Sequence, residues 1–145
     1  LDDDYLVVAG DNLFTDNLQE FVSFYNRRKA TTIALYPRGK EHALEDFGSA
    51  EINSEGKITK FIEKSPTTRN NLIATSMYLM PRSDMEKIDG YLQEGNNADS
   101  PGRLIQWLSS KHAVYGYLLK GKWWDIGTLD SYNSVKNLDV LKIME

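Results

Sequence analysis

Cysteine is absent from the chain, which removes disulfides, thiolate zinc ligands and a cysteine nucleophile together. No apolar run approaches the ~20 residues that a helix needs to cross a bilayer, and no signal-peptide pattern opens the sequence. No membrane partner is therefore expected, and a cytoplasmic location is. Cations are outnumbered, 17 Lys and Arg against 21 Asp and Glu, for a net charge of −4. A surface that grips nucleic acid by its phosphates needs the opposite balance, so no nucleic-acid partner is expected either. The one basic run, Arg27-Arg28-Lys29, falls where a helix should end and faces the negative end of its dipole. Prolines number four, and no linker, repeat or low-complexity tract divides the chain. With 41% hydrophobic and 26% charged residues, residues 1–145 read as a single globular domain.

Familiar catalytic signatures are missing too. There is no GxSxG elbow, no GxxxxGK[ST] loop and no GxGxxG turn. The two histidines, His42 in a polar loop after "PRGKE" and His112 at the head of a strand, lack metal-pair spacing and read as ordinary turn or surface residues.

What is present is an alternation of strand and helix signals. Tyr5 to Ala9 is a continuous, β-branched apolar run, the pattern of a strand covered on both faces, and Gly10 stops it. Asp16 offers an N-cap, and Leu18, Phe21, Val22 and Tyr25 give residues 17–29 a helical stripe. Residues 31–36 form the next strand, completing a unit whose two strands should run parallel. Residues 48–64 read as a hairpin whose turn, Ser54 to Lys57, uses Gly56 for positive φ. Residues 72–80 are a strand. Ser83 with Glu86 suggests a capping box for a helix that Gly95 ends. Ser100 and Pro101 open a further helix through Leu104, Ile105 and Leu108, and residues 113–119 are a strand. A terminal helix carries Leu129, Tyr132, Val135, Leu138 and Leu141. The sum is an α/β fold with a mixed, mostly parallel sheet flanked by helices.

Chemistry is left to carboxylates and a lysine at strand ends. Asp11 follows the first strand, where ligands of α/β sheets collect, although "GDN" alone is equally a turn that bonds its own backbone. Asp125 follows "GKWW", and Gly127 beside it opens the backbone to close approach; by itself it is equally an aspartate held by amides among packed tryptophans. Two such carboxylates could share Mg²⁺, which takes one or two protein carboxylates and fills its octahedron with water and phosphates. Glu63 and Lys64 close the hairpin, where a carboxylate could accept sugar hydroxyls and an ammonium could meet phosphate; a solvated strand edge is the alternative.

Taken in order, "LVVAGDN", "GSAEINSEGKITKFIEKS", "ATSMYLM" and "GKWWDIGTLDSY" resemble the C-terminal two thirds of a sugar-phosphate nucleotidylyltransferase, of the glucose-1-phosphate thymidylyltransferase type. The resemblance implies a Rossmann-like, nucleotide-diphospho-sugar transferase fold that makes an NDP-sugar and pyrophosphate from an NTP and a sugar 1-phosphate, most readily dTDP-glucose. It implies that Asp11 and Asp125 hold Mg²⁺ and that Asp11, Asp125 and Lys64 are catalytic. Glu63 would bind sugar hydroxyls and Lys64 the sugar phosphate. Gly48 would admit the sugar, with Asn71, Thr75 and Trp124 near the same pocket. Two departures stand out. "EKSP" replaces the usual "EKP", moving the proline to position 66, and the family's glycine-rich nucleotide loop is missing, which agrees with the abrupt start "LDDDYLVV". An N-terminally truncated chain, inactive alone, is expected, and a homo-oligomer of the full-length protein is an open alternative. The rivals are a degenerate domain with a regulatory or subunit-interaction role, a DxD glycosyltransferase, and a carbohydrate-binding module stacking sugars on Trp123 and Trp124.

Overall fold

The computed structural model describes residues 3–39, 42, 45–136 and 138. Its eight strands and five helices follow in the order β1 Tyr5–Val8, β2 Asn12–Phe14, α1 Leu18–Arg28, β3 Thr32–Pro37, β4 Ser49–Ile52, β5 Ile58–Ile62, β6 Leu72–Met80, α2 Arg82–Met85, α3 Ile88–Gln93, α4 Pro101–Lys111, β7 Tyr115–Leu118, β8 Trp123–Asp125 and α5 Leu129–Val135. The main sheet runs β5-β4-β6-β3-β7, with β1 also pairing to β6, and β2 and β8 form a separate ribbon. Nine-residue β6 is the spine. Its first half pairs with β4 and its second with β1, while β3 lies along the other edge. The sheet is mixed, as expected, yet "mostly parallel" needs correction: β3 and β7 form the parallel pair, and the other pairings are antiparallel. β1 and β3 do point the same way, but β6 has been inserted between them and runs against both.

Side-chain alternation along β3 and β6 splits the core in two. Ile33, Leu35, Ala74 and Tyr78 face Ile105 and Leu108 of α4. On the other face, Ala34, Ile73, Met77 and Leu79 meet Phe21 and Tyr25 of α1. Each large side chain so buried contributes roughly 1.5–3 kcal/mol. β1 departs from the covered strand its composition suggested: Leu6, Val7 and Val8 are each more than a third exposed, with β6 as the strand's partner among the described residues.

Local signals held in part. Helix α1 ends at Lys29 in a left-handed cap with Arg27 and Arg28 in its last turn, as the basic run implied. Its N-cap is Asn17, whose Oδ1 accepts from Gln19 N at 2.9 Å. Asp16 instead binds the Lys120 and Gly121 amides, 2.8 Å each, tying the start of α1 to the turn before β8. Gly56 has φ +80° in the hairpin turn. Ser83 does not cap α2, whose N-cap is Pro81; Glu86 pairs instead with Arg82 at 2.9 Å. Thr128 and Ser131 form a capping box for α5, and Leu141 of the expected terminal stripe lies outside the described residues.

Candidate active site

The β2–β8 ribbon builds the site's first corner. Its register sets Asn12 opposite Asp125, and Ile126 N donates to Asp11 O at 2.8 Å. Two aspartates more than a hundred residues apart are thereby brought together over Gly127. A Cβ on that glycine would stand 3.0 Å from Asp125 Oδ1 and 3.1 Å from Asp11 Oδ2. Each carboxylate is locally fixed by one bond: Asn12 Nδ2 donates to Asp11 Oδ1 at 3.0 Å, and Gly127 N donates to Asp125 Oδ1 at 2.9 Å. Two carboxylates that each bring an oxygen to about the same point above Gly127 suit a hard cation that draws its other ligands from water or phosphate. Among the described residues no cluster of three or more His, Asp or Glu exists to hold a metal without such help.

Trp123 and Trp124 divide the labour. Trp123 is buried and donates its indole N–H to Asn12 Oδ1 at 2.5 Å, so it braces the ribbon. Its ring packs with Tyr36, His42 and Phe47, centroids 5.6–5.8 Å away. That burial removes the paired tryptophans as a flat sugar-stacking platform. Trp124, half-buried, lines a cavity of about 750 Å³ together with Asp11, Asp125 and Gly127. His42 is more than a loop residue, since it lines this cavity and its Nδ1 accepts from Gly39 N at 3.0 Å.

Strand β5 delivers the second corner. A cavity of about 250 Å³ is lined by Asp11 and Asp125 on one side and by Gly48, Glu63 and Lys64 on the other. Lys64 has φ +45°, a left-handed conformation that a lysine adopts only under constraint. Its amide donates to Phe47 O at 3.2 Å, which holds the turn in place. Glu63 is half-buried, and that burial pushes its carboxyl above the ordinary glutamate range, against the opposing pull of Lys64, the Ser100 hydroxyl and Arg103. Three further residues without an obvious sequence signal join the lining: Ser76 at φ +56°, Ser100 and Gly102. The described lining holds the acids Asp11, Asp46, Glu63, Asp99 and Asp125 against the single ammonium of Lys64.

Asp11, Gly48, Glu63, Lys64 and Asp125 thus share one cavity. Thr75 does not join them: it is buried in the core and its Oγ1 donates to Ala34 O at 3.0 Å. Asn71 is exposed, its carbonyl receiving Arg38 N at 2.9 Å, and it lines neither cavity.

Comparison with known proteins agrees with this architecture. Residues 1–140 match the family model described as nucleotidyl transferase, and the chain belongs to that family. Glucose-1-phosphate adenylyltransferase of Clostridium acetobutylicum is 27% identical over 145 residues, covering 97% of this chain and 38% of that protein. The enzyme of the same name from Bacillus subtilis is 28% identical over 144 residues, with 94% and 37% covered. UDP-glucose pyrophosphorylase complexed with UDP-glucose shares the fold, with TM-score 0.79 at 20% identity over 97% of this chain and 57% of that one. The chain spans less than two fifths of the length of these curated relatives. No helix among the described residues is long and apolar enough to cross a membrane.

Proposed function

We propose that this chain supplies the sugar-phosphate half, and the cation corner, of a site that transfers a nucleotidyl group from an NTP to a sugar 1-phosphate with release of pyrophosphate. The observation that carries the proposal is the convergence of Asp11, Asp125, Glu63 and Lys64 on one cavity. Glu63 accepts hydrogen bonds from sugar hydroxyls, and Lys64 meets the phosphate that attacks. Asp11 and Asp125 hold Mg²⁺, which when bound neutralises phosphate charge. A lining with five acids and one lysine would repel a phosphate otherwise. A sugar phosphate oxygen is already nucleophilic, so alignment and charge neutralisation suffice and no general base is required. The half-buried Trp124 lines the neighbouring cavity, which would take the second substrate.

Glucose is common to the names of the relatives found, which supports glucose 1-phosphate as the acceptor. Thymidine is the base that the sequence resemblance indicates, whereas those names specify adenylyl and UDP chemistry. A reaction that draws on NTP and sugar phosphate fits the cytoplasmic location expected. The test is pyrophosphate release across a panel of NTPs and sugar 1-phosphates, by the chain alone and by a polypeptide that joins it to the sequence encoded upstream. Turnover by the longer polypeptide alone is expected. Equal turnover by the isolated 145 residues would overturn the half-site assignment, and none from the longer polypeptide would favour a degenerate domain.

A further inference from the structure

Helix α4 carries a glycine in its first turn, although glycine is the poorest helix former after proline. Backbone conformation does not demand it, because Gly102 is not among the residues with positive φ. Space does. A Cβ on Gly102 would lie 1.9 Å from Glu63 Oε2 and 2.2 Å from its Cδ, so a side chain there would force the Glu63 carboxylate to turn aside. The same carboxylate also crowds Gly48, where a Cβ would meet Glu63 Oε2 at 2.6 Å. Two glycines from different elements therefore clasp one carboxylate between them. Helix α4 adds two polar holds: Ser100 Oγ donates to Glu63 Oε1 at 3.5 Å, and Gln106 Oε1 accepts from Glu63 N at 2.8 Å.

We infer that Gly102 is a positioning residue: the first turn of α4, cleared of a side chain there, sets the direction in which Glu63 presents its carboxylate to the sugar. The helix touches no reacting atom and acts through Glu63. The role toward the sugar rests on the function proposed above, whereas the clasp itself is a matter of contact geometry. A carboxylate hemmed in by two glycine backbones keeps its hydrogen-bonding direction and loses little freedom when a sugar arrives, which is how a rigid surround raises affinity.

The test compares Gly102→Ala, Glu63→Asp and the double substitution, in a polypeptide that turns over, by two readouts. One is KM for sugar 1-phosphate against KM for NTP. The other is the titration of the Glu63 carboxyl, followed by ¹³C NMR without metal or substrate; Lys64, Arg103, Tyr78 and Ser100 act on it, and Asp11, Asp46, Asp99 and Asp125 share its cavity. Gly102→Ala should raise KM for the sugar phosphate on the order of tenfold to a hundredfold and leave KM for NTP unchanged. The displaced carboxyl regains water, so its titration should move down toward the ordinary glutamate value. Aspartate at 63 is one methylene shorter and withdraws from the helix, so Gly102→Ala should add nothing in that background. Ser100→Ala removes a hydrogen bond without adding bulk and should move the titration the other way, upward, which keeps the test alive if the alanine at 102 prevents folding. Unchanged sugar KM and Glu63 titration in Gly102→Ala, equal KM changes for both substrates, or additive effects in the double variant would each overturn the inference. If the parent polypeptide turns over no sugar 1-phosphate, the proposed function fails, while the titrations still decide the clasp.

Discussion

Gly127→Ala probes the cation corner with the smallest possible intrusion. The new methyl carbon would stand 3.0 Å from Asp125 Oδ1 and 3.1 Å from Asp11 Oδ2, tighter than ordinary van der Waals contact, so both oxygens must retreat by a few tenths of an ångström. Mg²⁺ accepts oxygens only near ~2.0–2.1 Å, and metal sites tolerate departures of about 0.2 Å. Disturbing the surroundings of metal ligands to this degree weakens binding about 10–100-fold, or roughly 1.4–2.7 kcal/mol. The backbone does not object, because Gly127 lies outside the left-handed region; alanine at a compatible position stabilises a fold by about 0.4–1 kcal/mol through the unfolded chain. Titration with Mn²⁺ as a paramagnetic stand-in, paired with a thermal melt, separates the two effects. Weaker Mn²⁺ binding at equal or higher Tm is the expected outcome. An unchanged Mn²⁺ titration would show that the space between the two carboxylates is not where the cation sits.

Other substitutions read other layers of the molecule. Asp84 is buried and accepts from the Thr31 amide at 3.3 Å, the Thr31 hydroxyl at 2.5 Å and Lys87 Nζ at 2.5 Å. Asp84→Ala strands two buried Thr31 donors, and urea unfolding should lose about 3 kcal/mol; a loss below ~1 kcal/mol would deny the anchor. Burial pushes the Asp84 carboxyl up, but the bonds from Lys87 and Thr31 outweigh it and hold it below the ordinary aspartate range. Its stabilisation is therefore present above the unfolded value near ~4 and lost as pH falls through the folded one; Asp84→Asn should flatten that acid limb alone. Glu63 has the opposite sign, since its raised folded value favours the protonated form and that contribution disappears as pH rises through it. Glu63→Gln should accordingly keep or raise Tm at pH 7 while abolishing sugar-phosphate affinity, and a markedly lower Tm would contradict this. A Cβ at Gly116 would meet Leu35 Cδ1 at 2.3 Å across the parallel β3–β7 pair, so Gly116→Ala should overpack the core and cost about 1–3 kcal/mol in a denaturant melt.

The elements that the sequence made legible are those with long periods or firm punctuation. The apolar stripe of α1 placed Phe21 and Tyr25 in the core, and Gly56 marked a hairpin whose far strand leads straight into Glu63 and Lys64. The β2–β8 ribbon escaped notice because each strand has three residues, too few to show alternation. Yet this ribbon, not the strand β1 itself, unites Asp11 with Asp125. Capping was misassigned at Asp16, whose carboxylate is recruited to the turn before β8, whereas Ser100 does stand at the N-cap of α4 with its hydroxyl turned to Glu63. Gly102 carried no local signal at all, because what crowds a side chain there is the carboxylate of Glu63, distant in sequence. Order along the sheet was likewise invisible, since β6, which follows the hairpin in the chain, lies between β1 and β3.

The central claim is that Asp125 and Asp11 form the cation corner of a nucleotidyl-transfer site. Its most direct test is the Mg²⁺ dependence of pyrophosphate release by the longer polypeptide, wild type against Asp125→Asn, with far-UV circular dichroism and Tm taken on the same samples. Asparagine keeps the Gly127 amide bond but removes the charge. The account predicts a collapse of turnover with the fold intact. Survival of turnover in the variant with a normal Mg²⁺ dependence would contradict it.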